Sequence, residues 1–506
     1  MNKDIFKIIL IFLIFSGAFL RLYGLGDQSL WIDESYSVTA AIGMMEHLVP
    51  VMPSGELYTS SILNTGSIAL SMTLFGINEF AARLPSVLFG VLTIIITYFF
   101  SKKLFGKEVA VITSFLITFS IVEIAWSRQA RMYQQLQFFY ILSLFIFYKY
   151  ANTREIKLGL LTILSIVCAI LTHPLGLSLL LIIPAYLALI NIKYIRLNIK
   201  KEFFKKRVFG IIFLVFSSIA LSEFFFNAVT HVLTVQTNYS ENYLWYLKTF
   251  FPIIFYLSIA GIIIGFREKW KETLLPFLAI IIPFYFIFFH EKLLGYRYLF
   301  LSFPFIFLFF SRTVKYISEI ISGLITKNFN KILRISIILI LLAVISLGSS
   351  LNFIPKNEYY LEPMAPQPKF DSVYYYLLDN IEEGDVLIVS YPEIALWYNL
   401  TPNYWLAFAI SGFSSSNWMN ENKTHYKRTM TPAIRNLEEL ENIYKNNERG
   451  WIVLDSLSGS RIPPEYWKFI KNNTKWFSEP SRPGIAGAIN LYGWDKTPDK
   501  QLRVLK

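Results

Sequence analysis

Two adjacent carboxylates, Asp33 and Glu34, stand in the stretch Arg21-Leu22-Tyr23-Gly24-Leu25-Gly26-Asp27-Gln28-Ser29-Leu30-Trp31-Ile32-Asp33-Glu34-Ser35-Tyr36-Ser37, directly after an apolar run from Ile5 to Leu20. A carboxylate there can take a proton from an attacking hydroxyl. The same pair also suits a solvated loop without chemistry. Further along, Arg128 and Arg131 lie in Glu123-Ile124-Ala125-Trp126-Ser127-Arg128-Gln129-Ala130-Arg131-Met132-Tyr133. Three residues apart, they share one helical face, and guanidinium donors match phosphate geometry. Glu123 is placed to orient one of them, while anchoring at lipid headgroups is the alternative reading of both arginines. Arg297, in Gly295-Tyr296-Arg297-Tyr298, offers a second phosphate clamp or a lone interfacial anchor. His173, in Thr172-His173-Pro174, sits at a tight turn between apolar runs, where a hydrogen-bonding role is commoner than that of ligand or base. Acids at one loop and arginines at two others fit a phosphate-bearing lipid substrate, with the arginines stabilising charge on a departing phosphate. Spacing alone does not name the reaction.

The elements that must position these residues are membrane spans. At 54% hydrophobic and 16% charged residues, with mean hydropathy +0.47, a chain of 506 residues is too apolar to be soluble. The net charge of +12 does not argue for nucleic acid, because the basic residues cluster between apolar runs, where the positive-inside rule expects them. Cys168 is the single cysteine, which excludes an intramolecular disulfide framework and a Cys-based metal site. Apolar runs lie near 5–22, 84–100, 108–125, 134–150, 158–172, 175–190, 208–227, 250–266, 274–289, 298–316 and 332–350. These predict a polytopic α-helical membrane protein of about eleven spans with a cytoplasmic N-terminus and a retained first span. That register gathers the Lys102, Lys149, Lys193 and Arg267 clusters on one side, and it leaves Ile62 to Phe75, richer in hydroxyl and amide residues, as a juxtamembrane helix.

Past about residue 351 the composition changes. Pro355, Pro363, Pro366 and Pro368 read as a linker, followed by helix-like (371–381, 437–446, 465–471) and strand-like (385–390, 451–455, 485–494) segments. This predicts a small extracytoplasmic α/β domain. The expected division is thus a transmembrane domain over 1–350, carrying the first outer loop 23–83, and a soluble domain over 351–506. Arg21, Tyr23 and Trp31 read as interfacial anchors. Trp397, Tyr398, Trp405 and Trp418 offer a sugar-stacking platform or ordinary core. Sequons begin at Asn238, Asn399, Asn422 and Asn472, each a match that chance produces readily.

The first-loop stretch, with its Leu30-Trp31-Ile32-Asp33-Glu34 core, resembles the signature of the superfamily C glycosyltransferases, specifically the family 39 and protein O-mannosyltransferase-like group. The run Phe75-Gly76-Ile77-Asn78-Glu79-Phe80-Ala81-Ala82-Arg83-Leu84-Pro85-Ser86-Val87-Leu88-Phe89-Gly90, the turn Leu104-Phe105-Gly106 and the loop Ser127-Arg128-Gln129-Ala130-Arg131-Met132-Tyr133 agree with it. The resemblance covers residues 5–310. It implies sugar transfer, with inversion, from a polyprenyl-phosphate or dolichyl-phosphate donor to a protein, lipid or glycan acceptor on the outer face of a plasma membrane. Asp33 would be the general base, Glu34 its support or an orienter of the acceptor, and Arg131 with Arg128 or Arg297 the binders of the leaving phosphate. Mannose is the donor the resemblance implies; hexosamine and pentose donors suit these residues equally. Many members carry a His-Pro-Pro-Leu-like motif where this chain reads Tyr58-Thr59-Ser60-Ser61-Ile62-Leu63-Asn64, which leaves the acceptor class open. It also leaves His47 and Glu56 as speculative metal substitutes, so the expected reaction uses no metal and no cofactor. The alternatives are a lipid-linked saccharide transporter or flippase, for which the spans offer few buried charges, and a scaffold presenting the C-terminal domain.

Overall fold

The computed structural model describes residues 3–190, 234–291, 294–325, 351–359, 369–406, 418–455, 462–477 and 489–496, with a few isolated positions between them. The chain forms two units, one of residues 1–23 and 86–359, the other of residues 24–85 and 360–506.

The first unit is helical because its sequence is written in apolar runs closed by punctuation. Along the chain come α1 (Lys3–Leu22), then, past the first segment of the other unit, α4 (Glu79–Phe105), α5 (Lys107–Phe119), α6 (Ile121–Trp126), α7 (Tyr133–Thr153) and α8 (Ile156–Thr172). A 3₁₀ turn (Pro174–Ser178) leads into α9 (Leu179–Ile190). After it come α10 (Ser240–Phe250), α11 (Pro252–Glu268), α12 (Trp270–Phe289), a 3₁₀ turn (Tyr296–Ser302) and α13 (Phe303–Ile325). Asn78 starts α4 by accepting the Ala81 N–H on its side-chain oxygen at 2.9 Å. Gly106, at φ 96°, ends it. Among the described residues four helices are long and apolar enough to cross a membrane, and the bent pair α10–α11 adds a fifth. The expected runs near 208–227 and 332–350 lie outside the described residues. The expected run 108–125 is divided into α5 and α6, because Ser120 is extended at φ −63°, ψ 127°. Close helix approach rests on small and polar residues. A Cβ at Gly261 would strike the Phe309 carbonyl, so glycine is what lets α11 meet α13. Thr113 donates to Ser311 at 3.0 Å between α5 and α13, and an Arg312–Glu268 ion pair ties α13 to α11.

The second unit begins with α2 (Ile32–His47) and α3 (Ile62–Phe75), which pack on each other. It continues with α14 (Phe370–Asn380), β1 (Val386–Val389), α15 (Pro392–Trp397), β2 (Tyr404–Leu406), a small hairpin of β3 (Ala409–Ile410) and β4 (Phe413–Ser414), and β5 (Ala433–Ile434). Last come α16 (Leu437–Asn446), β6 (Arg449–Asp455), α17 (Pro464–Asn473), β7 (Lys475–Trp476) and β8 (Ile489–Asp495). The six-stranded sheet runs β5-β2-β1-β6-β8-β7. Its first four strands are parallel, β1 and β6 aligning Val386 with Gly450 through Val389 with Val453, and β8 and β7 close the edge antiparallel. The α/β character and most of the expected segments are present.

The expected domain division is corrected. Residues 24–85 belong with the C-terminal sheet and not with the membrane helices. Ile32 packs on the core of Phe370, Val373, Leu377, Leu387 and Val389, where each fully buried aliphatic side chain contributes about 1.5–3 kcal/mol. Ser29 Oγ accepts the Phe370 N–H at 3.3 Å, and Glu79 accepts the Trp397 indole N–H at 2.8 Å. The four aromatics expected as a stacking platform are dispersed: Trp405 is core, Tyr398 stacks on Tyr374 at 5.0 Å, Trp397 bonds Glu79 and Trp418 stacks on Tyr36.

Candidate active site

In the second unit, α2 opens with Trp31 as its N-cap and both acids in its first turn, where the helix dipole favours negative charge. Glu34 is completely buried and is gripped by Arg83, whose own side chain is 2% exposed. All five guanidinium N–H groups are placed. Nε and Nη2 donate to the two Glu34 oxygens at 2.8 and 2.9 Å, Nη1 to the Leu25 and Gln28 carbonyls at 3.1 and 2.6 Å, and Nη2 also to the Ser29 carbonyl at 3.0 Å. The Trp31 N–H reaches Glu34 Oε2 at 3.3 Å, as in a capping box. Arg83 therefore folds the turn 25–29 over the start of α2. One residue earlier, and about 100° round the helix, Asp33 is only partly buried.

In the first unit, Arg131, Arg297 and His173 come together around an aromatic cluster. The rings of Tyr133, His173 and Tyr298 lie 5.7, 6.2 and 6.4 Å apart pairwise. The Arg131 guanidinium sits 5.9 Å from the Tyr133 ring and that of Arg297 5.4 Å from the Tyr298 ring. His173 begins the 3₁₀ turn by accepting the Leu175 N–H on Nδ1 at 3.1 Å, which leaves its proton on Nε2. Burial, and then the charges of Arg131 and Arg297, hold its pKa down to about 3. The imidazole is thus a neutral donor beside two cations.

A family model described as dolichyl-phosphate-mannose-protein mannosyltransferase matches residues 67–222. An uncharacterized protein of Aquifex aeolicus (strain VF5) is 29% identical over 203 residues, covering 39% of this chain and 39% of that protein. The match thus spans about two fifths of that relative's length. ArnT from Cupriavidus metallidurans bound to undecaprenyl phosphate superposes with a TM-score of 0.59 at 13% identity, over 98% of this chain and 99% of that one. The apo oligosaccharyltransferase of Archaeoglobus fulgidus does so at 0.54 and 13% identity, over 90% and 70%. At these identities the structural likeness is one of fold. Over residues 67–222 the chain is similar to that mannosyltransferase family, and over nearly its whole length it has the fold of the ArnT and oligosaccharyltransferase structures.

Several expected roles change. Arg128 is held by backbone carbonyls: its Nη1 donates to the Arg21 carbonyl at 3.0 Å and to that of Tyr23, its Nη2 to the Asn357 carbonyl at 2.8 Å, and its guanidinium lies 5.0 Å from the Tyr359 ring. It staples the end of α1 to residues 357–359. Glu123 orients neither Arg128 nor Arg131. Buried, it accepts from Gln137 Nε2 at 3.0 Å and faces Arg21 electrostatically. Arg21 and Trp31 are no interfacial anchors but buried, Arg21 donating to the carbonyls of Gly17, Ile117 and Thr118. Among the described residues no group of three His, Cys, Asp or Glu is placed to hold a metal ion. Sequence reading missed Arg83 as a site residue. Its signal was there: it is the one Lys or Arg between residues 24 and 85, a stretch holding six acids.

The neutral His173 makes a pH prediction. The unfolded chain binds this proton below about pH 6.5, whereas the folded chain does not until about 3. Stability therefore falls as pH drops below about 6.5, by at most about 1.4 kcal/mol per unit from this group. His173→Gln is expected to remove that contribution, read from thermal unfolding in detergent between pH 8 and 5.

Proposed function

We propose that this chain is a GT-C glycosyltransferase that transfers a sugar from a polyprenyl-phosphate donor to an acceptor hydroxyl outside a plasma membrane, with inversion at the transferred carbon. The N-terminus is cytoplasmic and the α/β unit extracytoplasmic in this reading. The acceptor oxygen attacks the anomeric carbon, its proton passes to Asp33, and the bond from that carbon to the phosphate oxygen breaks with its electrons leaving on the polyprenyl phosphate. Arg131 and Arg297 stabilise the negative charge on that leaving group. His173 supports them as a neutral donor, and Glu34, bound to Arg83, keeps Asp33 in place. The donor class draws support from the ArnT relative with undecaprenyl phosphate, and mannose from the family description.

The observation that carries this reading is the division of labour between the two adjacent acids. Glu34 is buried with every Arg83 donor directed onto it or its turn, while Asp33 stays partly exposed at the head of α2. A solvated acid pair would leave both carboxylates exposed.

The test is transfer in proteoliposomes supplied with radiolabelled polyprenyl-phosphate sugars and a membrane extract as acceptor source. Wild type should release polyprenyl phosphate as label moves to an acceptor. Labelled lipid crossing the bilayer with no donor consumed would overturn the transferase in favour of a flippase. In the same assay Arg131→Ala and Arg297→Ala should each lower turnover about 10²–10³-fold, the size seen when one charge-stabilising donor is removed. Arg128→Ala should instead lower the amount of folded protein, with turnover per folded molecule close to wild type.

A further inference from the structure

The outer unit contains a second polar cluster, on α2 one turn beyond Asp33. Tyr36 is buried, and the Arg428 guanidinium lies 3.7 Å from its ring centroid and 4.9 Å from that of Trp418. The two rings face each other at 6.2 Å and 27°. Arg428 is carried on a stiff arm: Tyr426, two residues before it, is core, packs on Trp405 at 4.9 Å and donates its hydroxyl to the fully buried Glu393 at 2.9 Å. The arm closes on itself, the Tyr426 N–H donating to Thr431 and the Lys427 N–H to Trp418. It also reaches the loop after α2, where the Ser54 N–H donates to the Arg428 carbonyl at 2.9 Å and Lys427 pairs with Glu56 at 3.4 Å. Glu393 lies on α15, which packs directly against α2. A helix touched only by apolar neighbours can rotate at small cost; one whose tyrosine is held on its face by a guanidinium on a braced arm cannot.

We propose that Arg428, braced by Tyr426 and Glu393, is a positioning residue for the transfer reaction: by fixing Tyr36 it fixes the first turns of α2, and so presents Asp33 in one orientation. The proposal rests on Asp33 being the general base. It makes the C-terminal α/β domain a working part of the catalytic acid's support. The sheet core anchors the arm, the arm holds the helix, and the helix carries the carboxylate.

The test uses the full chain in proteoliposomes with two independent readouts. Hydrogen exchange at the α2 amides of residues 35–40 reports the clamp. Apparent KM and kcat for the polyprenyl-phosphate sugar report its consequence. Arg428→Ala should raise exchange in α2 but not in β1 or β6, and lower kcat about 10²-fold, the cost of a misplacement near 1 Å, with KM for the donor little changed. Arg428→Lys should rescue little, since an ammonium cannot lie flat between two rings. Lys427→Ala, which loses only a half-exposed ion pair beside it, should match wild type. If Arg428→Ala does not reach the membrane, Tyr426→Phe decides by the same readouts, because it removes a single oxygen. Unchanged α2 exchange would overturn the clamp. Raised exchange with wild-type kcat would overturn its catalytic role. A wild-type chain that consumes no donor would sink the transferase reading and that catalytic role with it, and the exchange result would still decide whether the clamp exists.

Discussion

Replacing Arg83 with alanine is expected to cost the second unit about 3–5 kcal/mol, the penalty of removing one member of a buried ion pair and leaving the other charge uncompensated. The loss falls on more than Glu34. The carbonyls of Leu25, Gln28 and Ser29 lose their donor as well, and these groups shape the turn that precedes α2. Arg83→Lys should recover only part, because a single ammonium cannot serve two carboxylate oxygens and three carbonyls with the geometry of a planar fork. Thermal unfolding in detergent reads the effect, and transfer should fall in step with it. A wild-type melting temperature for Arg83→Ala would show that the pair holds nothing. Glu34→Gln is the informative companion. It keeps the shape, removes the negative charge and supplies a donor where Arg83 requires acceptors, so it should also destabilise, though less than Glu34→Ala.

Asp33→Asn should act in the opposite way, abolishing transfer while sparing the fold. A positioned general base contributes typically 10²–10⁴ in rate, and an amide of the same size cannot take the acceptor's proton. Asp33 is partly exposed, so the substitution leaves no buried charge behind, and melting should stay close to wild type. Binding of polyprenyl phosphate, assigned to Arg131 and Arg297, should persist. Full transfer by Asp33→Asn would remove the general-base role. The contrast between neighbours is the sharpest statement of the site: loss at position 34 is read in stability first, and loss at position 33 in turnover alone.

Much of this was legible along the chain because it depends on local composition. Apolar runs and flanking basic clusters announce membrane helices without reference to any contact, since a bilayer imposes the same requirement on every span. The α/β pattern after residue 351 was readable for a similar reason: its helix and strand periods are local, and the segments expected at 371–381, 437–446 and 451–455 all appear. The acids at 33 and 34 and the arginines at 131 and 297 stood out by residue type.

Contacts between residues distant in the chain decided the rest. Arg83 lies 49 positions from Glu34 and shares no spacing with it, so nothing local pairs them, and the loop 24–85 joins the C-terminal sheet through side chains more than 300 positions away. Arg128 and Arg131 look alike as a pair three residues apart, yet one meets backbone carbonyls at the end of α1 and the other an aromatic cluster. A guanidinium binds whichever oxygens are presented to it, and only the folded chain determines which those are. The residue types present, and so the chemistry on offer, are settled by the sequence; burial and pairing, which turn one acid into a brace and leave its neighbour partly exposed, are set by the packing around them.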